Sequence, residues 1–321
     1  MARSRASGRR GFTLIEVLVV ISIIGLLLTI LIPVLSKARG EGRAAVCLAR
    51  LRVIGQGMMV YANEFHDSIV PSRMPKIDDE NWRVRLPSGV KYRPSFLTMM
   101  GSEIGLQPFD DPQPTKTSID RFGEPGDRQD YSSDAYLCPE ALDWTDERNG
   151  CYGFNYHFLG NSRLRDSGRI NDYKNWPVKT SWVRSPARCV AVGDSMGTAA
   201  SFHRRSRRDY QQNLPGDSGS GRDADAYGNE GFNLDPPLVD PEFGEMANLN
   251  GGSDNSRTAL HERHNGRGVA LWMDGHGSKE SLKSLGYDVE DDTGIVTFDG
   301  DNSLFHIRGE DRPWLITDPR R

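Results

Sequence analysis

The sequence RRGFTLIEVLVVISIIGLLLTILIP, at residues 9–33, decides the fold of this chain. Residues 12–32 are mostly apolar, and Glu16 is the only charged residue among them. A helix of this length crosses the roughly 30 Å hydrocarbon layer of a membrane. Because the residues before the run include four arginines and no acidic residue, the positive-inside rule predicts a cytoplasmic N-terminus and an exported remainder. These arginines are Arg3, Arg5, Arg9 and Arg10.

The order of Gly11 and Glu16 differs from that of an ordinary secretory signal. Such a signal has small residues at a cleavage site after its apolar core and no carboxylate inside the core. Here Gly11 precedes the core and Glu16 lies within it. An ionisable group inside the membrane costs about 3 kcal/mol on insertion scales and usually marks a functional partner. The simpler alternative is a signal anchor that tolerates Glu16 near the membrane interface.

The segment Gly11-Phe12-Thr13-Leu14-Ile15-Glu16-Val17 resembles the N-terminal signal of type IV prepilins and type II secretion pseudopilins. The resemblance covers residues 8–66 and includes Pro33, which lies where the helix of that family is kinked. It implies that a prepilin peptidase cuts between Gly11 and Phe12 and methylates the new N-terminal Phe12. It also implies that Glu16 pairs with the N-terminal amine of a neighbouring subunit.

This resemblance implies partners and a location. The chain would be a single-pass protein of the inner membrane, held in the lipid bilayer with a periplasmic head. An inner-membrane assembly platform would add it, with other pilin or pseudopilin subunits, to a pilus or a type II secretion pseudopilus. One alternative is a membrane-anchored periplasmic or surface module that binds carbohydrate or another ligand and uses the signal only for targeting. A metal-dependent hydrolase is a third hypothesis, although no nucleophile elbow or phosphate loop has supporting context, so we expect no enzyme.

The predicted organisation is a basic leader at residues 1–11, a transmembrane helix at 12–33, an amphipathic extension of it at 34–66 and an exported head at 67–321. Apolar residues recur along the extension at three- and four-residue steps, which predicts one buried helix face. They are Ala44, Cys47, Leu51, Ile54, Met58, Tyr61 and Phe65. Because runs of strands follow a single long helix, we predict an α+β fold with a mostly antiparallel sheet, the ladle shape of pilins.

Within the head, the pattern predicts strands at residues 82–86, 135–138, 151–159 and 188–193, and a short helix at 95–106 capped by Ser95. Residues 198–256 are rich in Gly, Asp, Asn, Ser and Pro, which favours a long exposed insertion. The basic cluster at 204–208 lies inside it. Since the chain has a net charge of −4, which becomes more negative without the leader, we expect no nucleic-acid partner.

A second motif lies near the C-terminus. Asp274-Gly275 between apolar residues predicts a tight hairpin turn. His264, followed after nine residues by Asp274-Gly275, resembles a motif of unknown role in a planctomycete-type group of pseudopilin-like proteins. The other elements of that group are a cysteine in the helix, a Cys-Pro pair and an aromatic-Gly-aromatic-Asn run. They are matched here by Cys47, Cys138-Pro139 and Tyr152-Gly153-Phe154-Asn155.

Metal-ligating residue types occur around this motif, but we predict structural roles for them and no cofactor. His264 and His276 would lie at opposite ends of a strand of about 16 Å, too far apart to share an ion without another loop. We therefore expect His264 to make a structural hydrogen bond, and we assign no metal to the set His261, His264, Asp274 and His276. The acidic run at residues 288–292 could hold calcium, although it lacks EF-hand spacing.

Four cysteines in an oxidising compartment allow three complete disulfide pairings. A Cys47–Cys138 bond would join the helix to the head, worth about 4 kcal/mol in the chain-entropy model. The rival Cys138–Cys151 bond closes only a short loop. The family resemblance also favours Cys47–Cys138, since Cys151 and Cys189 match no cysteine of its motifs, and Cys189 would then be a free thiol.

Overall fold

The computed structural model describes residues 13–73, 83–92, 94–112, 129–141, 147, 150–160, 178–208, 225–239 and 257–312. The chain divides into two compact units, Met1–Gly42 and Arg43–Arg321, which are described in turn. The helices of the described residues are α1 (Leu14–Glu64) and α2 (Phe96–Glu103). The strands are β1 (Arg83–Leu86), β2 (Gly89–Tyr92), β3 (Tyr152–Asn155), β4 (Val190–Asp194), β5 (Asn233–Leu234), β6 (Gly268–Trp272), β7 (Gly277–Glu280), β8 (Tyr287–Val289) and β9 (Val296–Gly300).

The described part of the first unit is the N-terminal part of α1 with Thr13 before it, and the apolar side chains of this part of α1 are exposed. Leu14 is 81% and Ile30 is 64% exposed, which is the surface expected of a helix that lipid or other helices cover. Among the described residues, α1 is the one helix long and apolar enough to cross a membrane. Pro33 lies inside α1 and does not end it. The predicted long N-terminal helix is therefore confirmed from Leu14 onward.

In the second unit, the C-terminal part of α1 buries the predicted apolar face. Cys47, Leu51, Ile54 and Met58 are completely buried in the core of the head. Burial of each such side chain contributes roughly 1.5 to 3 kcal/mol. The prediction fails at Phe65, which follows the last residue of α1 and is 43% exposed.

A five-stranded sheet of order β5-β3-β4-β6-β7 forms the centre of the head. The β3–β4, β4–β6 and β6–β7 pairs are antiparallel, and the β3–β5 pair is parallel. Two antiparallel hairpins, β1–β2 and β8–β9, accompany this sheet. The predicted α+β class with a mostly antiparallel sheet is confirmed, and the strand predicted at residues 188–193 is β4.

The hairpin between β6 and β7 forms where Asp274-Gly275 predicts it. Gly275 has a φ of +88°, a left-handed conformation that favours glycine. Its N–H donates to the carbonyl of Trp272 at 2.9 Å, and the N–H of Trp272 donates to the carbonyl of His276 at 2.9 Å. The turn thus fixes the register that pairs Leu271 with Gly277.

Three other predictions need correction. The strand predicted at residues 135–138 is instead a short 3₁₀ helix, Asp134–Tyr136, because the Ser133 hydroxyl accepts a hydrogen bond from the N–H of Ala135. Ser95 is the N-cap of α2, but its hydroxyl pairs with that of Tyr131 at 2.9 Å rather than with the helix backbone. The strand predicted over residues 151–159 ends at Asn155, and all of its residues are buried, so no exposed face alternates with a buried one.

The exposed insertion predicted at residues 198–256 is wrong for residues 198–200, which are buried in a 3₁₀ helix, and for residues 225–239. Asn233–Leu234 is strand β5 at the edge of the central sheet, and Phe232 and Leu234 are buried in the core. Several polar residues of this segment are buried with hydrogen-bond partners. Asp235, for example, contacts Nε2 of His157 at 2.8 Å and accepts from the N–H of Thr258 at 2.7 Å. A polar composition therefore does not place this part of the chain outside the core.

Candidate functional site

The first site is the start of α1, where Thr13 and Glu16 cap the helix reciprocally. Oε2 of Glu16 accepts from the N–H of Thr13 at 2.8 Å and from its hydroxyl at 2.9 Å. In return, the N–H of Glu16 donates to the Thr13 hydroxyl at 3.3 Å. This is a capping box, which satisfies N–H groups left free at a helix start. A carboxylate has about four acceptor positions, so the local bonds leave capacity for a further donor. The predicted cleavage residues Gly11 and Phe12 lie outside the described residues.

The second site gathers residues from distant parts of the head. One ligand atom from each of Cys47, Cys138, Asp194 and His264 lies within 4.8 Å of the others, and all four residues are buried. Cys47 lies on the buried face of α1, and Cys138 follows the 3₁₀ helix Asp134–Tyr136. Asp194 is the last residue of β4, and His264 precedes β6.

His264 makes two short contacts through a single ring nitrogen. Its Nε2 lies 3.3 Å from Sγ of Cys138 and 3.2 Å from Oδ2 of Asp194. Sγ of Cys47 lies 3.8 Å from Oδ1 of Asp194. The backbone at His264 is held by a tight turn, in which the N–H groups of His264 and Arg267 each donate to the other's carbonyl at 2.8 and 3.1 Å. The prediction of a structural hydrogen bond from His264 thus fits its position, and its two contacts are with Cys138 and Asp194.

Neighbouring groups hold the four side chains in place. The hydroxyl of Tyr152 lies 3.0 Å from Sγ of Cys47. The N–H of Val269 donates to Oδ2 of Asp194 at 2.9 Å, and Nε of the buried Arg263 lies 3.8 Å from Oδ1 of the same carboxylate. On the other side, the N–H of Cys138 donates to Sγ of Cys151 at 2.9 Å.

Burial and neighbours change the acidity of these groups in opposite directions. Burial and the contact with Cys138 raise the pKa of the Cys47 thiol well above its ordinary value. Burial would also raise the pKa of Cys138, but the hydrogen bonds with Cys47 and His264 outweigh it and lower this pKa to about 6. Burial would lower the pKa of His264, but Asp194 and Cys138 outweigh it and raise this pKa to about 9. The contact between the two side chains thus lowers the pKa of Cys138 and raises that of His264.

A cysteine, a histidine and an aspartate in contact also invite comparison with a nucleophilic triad. In a triad the imidazole uses one nitrogen for the nucleophile and the other for the orienting carboxylate. Here Cys138 and Asp194 both lie against Nε2, while Nδ1 of His264 has no hydrogen-bond partner in the described part of the chain. Cys138 is also only 1% exposed. The arrangement therefore resembles a set of metal ligands more than it resembles a nucleophilic triad.

The other residues considered for metal lie outside this cluster. Nδ1 of His276 contacts Oδ1 of Asp274 at 2.6 Å in the exposed hairpin turn, and its ring stacks on Trp272. His261 packs against the ring of Tyr227. In the acidic run at 288–292, Glu290 accepts from the hydroxyl of Thr293 at 2.6 Å, and calcium there stays a prediction.

The structure brings three of the predicted residues together, namely Cys47, Cys138 and His264. All four cysteines are free thiols in it, so the predicted Cys47–Cys138 disulfide has its two residues close together but stays a prediction as a bond. Cys189 lies elsewhere in the core, with Sγ 3.6 Å from the carbonyl of Phe305. Sequence reasoning missed Asp194. The sequence offers one signal for Asp194, namely its position directly after the apolar strand predicted at residues 188–193.

The exposed apolar helix, with Glu16 in its first turn, fits a membrane-anchored protein. Residues 6–32 match the family model described as the prokaryotic N-terminal methylation motif. The chain therefore carries a prepilin-type N-terminal signal, as its sequence predicts, and has the signal of a prepilin peptidase substrate. The match does not extend to the C-terminal motif, whose resemblance stays a prediction. No curated protein and no solved structure shows significant similarity to the chain.

Proposed function

We propose that this protein is a structural subunit of a pilus or of a type II secretion pseudopilus. The observation that carries the proposal is the methylation motif at residues 6–32, which lies at the start of a helix with exposed apolar side chains. In this proposal the prepilin peptidase removes the leader between Gly11 and Phe12 and methylates Phe12. Before assembly, the mature subunit lies in the inner membrane, with its N-terminus on the cytoplasmic side and its head in the periplasm.

During assembly, the helices of other subunits would replace the lipid that surrounds the exposed helix of the first unit. Helices associate in membranes through packing and polar contacts rather than through the hydrophobic effect. The exposed side chains of residues 14–35 supply the packing surface. Glu16 would supply the polar contact by accepting from the N-terminal amine of a neighbouring subunit, which offsets the cost of an isolated charge in the membrane. An inner-membrane assembly platform would drive this exchange.

Substitution of Glu16 tests whether this carboxylate is needed for filament assembly. In Glu16→Gln the side chain keeps its size but loses its charge, so we expect membrane insertion and leader cleavage with no filaments in the sheared surface or periplasmic fraction. Glu41→Gln is the matched control, because it makes the same change on α1 outside residues 12–33 and should leave filaments at the wild-type level. Normal filaments from Glu16→Gln would refute the pairing. Mature wild-type protein that stays in the membrane without any filament would instead favour an anchored binding module.

A further inference from the structure

We propose that Cys47, Cys138, Asp194 and His264 bind a zinc ion inside the head of the protein. The inference goes beyond filament assembly, since it concerns only the second unit of the chain. Two sulfur donors, one imidazole nitrogen and one carboxylate oxygen make up a donor set that suits zinc. Among the described residues, this is the cluster of Cys, His and acidic side chains whose ligand atoms converge.

Three distances between ligand atoms are close to those around a tetrahedral ion, and all four ligand atoms lie within 4.8 Å of one another. Zinc bonds of about 2.0 to 2.3 Å place neighbouring tetrahedral ligands roughly 3.3 to 3.8 Å apart. Nε2 of His264 lies 3.2 Å from Oδ2 of Asp194 and 3.3 Å from Sγ of Cys138. Sγ of Cys47 lies 3.8 Å from Oδ1 of Asp194. The His264 and Cys47 distances are to different oxygens of Asp194, so the side chains would draw closer together to bind one ion.

The orientation of His264 supports a shared centre. Nε2 faces both a sulfur and a carboxylate oxygen, whereas an ordinary hydrogen bond from one N–H needs a single acceptor. With an ion among them, Nε2, Sγ and the carboxylate oxygen would each bind the ion instead of competing for one proton. The proton of the imidazole would then lie on Nδ1, the usual tautomer of a histidine that ligates through Nε2.

Surrounding groups form part of the outer shell of a metal site, although Nδ1 of His264 has no hydrogen-bond partner in the described part of the chain. The hydroxyl of Tyr152 lies 3.0 Å from Sγ of Cys47, and the N–H of Val269 donates to Asp194 at 2.9 Å. Such contacts orient the residues that ligate the metal and tune their affinity for it. The charges also balance. A divalent ion with two thiolates and one carboxylate has a net charge of −1, and the buried guanidinium of Arg263, 3.8 Å from Asp194, compensates it.

The site is closed and joins separate parts of the head. Four protein ligands leave no open position for water or substrate, which is typical of structural rather than catalytic zinc. The ligands come from α1, the segment after the 3₁₀ helix Asp134–Tyr136, the end of β4 and the turn before β6. The ion would thus hold the helix against the sheet, the role that the sequence assigns to a disulfide. It would also give His264 of the C-terminal motif a function.

The test is metal analysis of the full mature chain, purified in detergent with a thiol reductant. We expect about one zinc ion per chain, as for a four-ligand site. Cys138→Ser and His264→Gln should each weaken zinc binding by more than tenfold in competition with a chromophoric chelator. Tyr152→Phe should weaken it by about tenfold, as removal of an outer-shell partner does. Cys189→Ser is the matched control, because its thiol is buried away from the cluster, and it should bind as the wild type does.

Cobalt substitution tests the geometry without any variant that could misfold. Reduced wild-type protein loaded with Co²⁺ should show the intense visible absorption of a tetrahedral ion with thiolate ligands. Failure of the reduced wild type to bind either Zn²⁺ or Co²⁺ would overturn the proposal. So would zinc binding that Cys138→Ser and His264→Gln leave unchanged, since the ion would then lie elsewhere. The filament experiment with Glu16→Gln tests assembly alone, so neither of its outcomes changes what the metal-binding experiments show about the head.

Discussion

Sγ of Cys138 lies 3.3 Å from Nε2 of His264, although 126 residues separate the two in the chain. This contact joins a cysteine near the middle of the sequence to the C-terminal motif. Cys47 of α1 completes the group, which ties the N-terminal helix to both. Residues from three distant segments of the sequence thus lie in one buried site. The first prediction concerns the two cysteines of this site.

Oxidation of metal-free protein should link Cys47 to Cys138. Their sulfur atoms lie within 4.8 Å of each other and both thiols are buried, so the two side chains need to approach further to reach the roughly 2.05 Å of an S–S bond. Chelator followed by a mild oxidant should therefore give a Cys47–Cys138 peptide in non-reducing mass spectrometry, with Cys189 free. Protein loaded with zinc should resist the same oxidant, since its thiolates are occupied. A Cys138–Cys151 peptide as the main product would show that the predicted pairing is wrong.

Gly57 should not tolerate a larger side chain. A Cβ atom at this position in α1 would lie 2.2 Å from the carbonyl oxygen of Met100 in α2, and such overpacking costs about 1 to 3 kcal/mol. We expect Gly57→Ala to lower the thermal midpoint of the detergent-solubilised protein, measured by circular dichroism. Gly42→Ala is the control, since among the described residues nothing outside its own helix backbone and chain neighbours lies within 4 Å of its Cβ and alanine favours a helix by about 1 kcal/mol. Equal midpoints for Gly57→Ala and wild type would contradict the close packing of α1 on α2.

Asp235 should make the head less stable in acid. Burial alone would raise the pKa of its carboxyl, but the hydrogen bond and charge of His157 outweigh burial and lower it. A lowered pKa in the folded state contributes stability above the unfolded value of about 3.9, and this stability is lost as pH falls through the folded pKa. Near pH 6, Asp235→Asn should therefore destabilise the head by roughly 3 kcal/mol, the scale for breaking a buried pair.

The same difference between wild type and Asp235→Asn should shrink as pH falls from about 4 through the lowered folded pKa, because the carboxyl of the unfolded chain becomes neutral first and that of the folded chain becomes neutral at a lower pH. Urea unfolding curves over a pH series measure it. Asp291→Asn is the control, because that side chain is 91% exposed and should change little at any pH. A gap for Asp235→Asn that stays constant into acid would show that the carboxylate charge contributes no stability.

The sequence predicts those parts of the fold that follow from local periodicity and turn chemistry. The spacing of Cys47, Leu51 and Ile54 predicts the buried face of α1 because helix geometry alone decides which residues share a face. The Asp274-Gly275 turn follows from the left-handed conformation that glycine accepts. These features depend on a few consecutive residues, so no knowledge of the rest of the fold is needed.

The features that the sequence does not predict depend on contacts between distant residues. Asp194 joins the buried cluster only because β4 pairs with β6, whose Val269 donates to its carboxylate. Strand β5 lies in a polar segment that composition assigns to the surface. It is held in the core by paired polar groups, such as Arg257, which donates to the carbonyls of Pro236 and Pro237 at 2.6 and 3.1 Å. Composition counts polar residues but does not show which of them find partners.

The most direct test of the central claim, that this chain is processed as a prepilin-type subunit, is the mass of its N-terminal peptide after expression with a prepilin peptidase. The account predicts a mature chain that begins at Phe12 and carries one N-terminal methyl group. Gly11→Leu should leave an uncut precursor in the membrane, because the peptidase needs the small residue before the cut, while Gly8→Leu should be processed normally. A wild-type chain that still begins at Met1, or one cut after Ile32, would contradict the account.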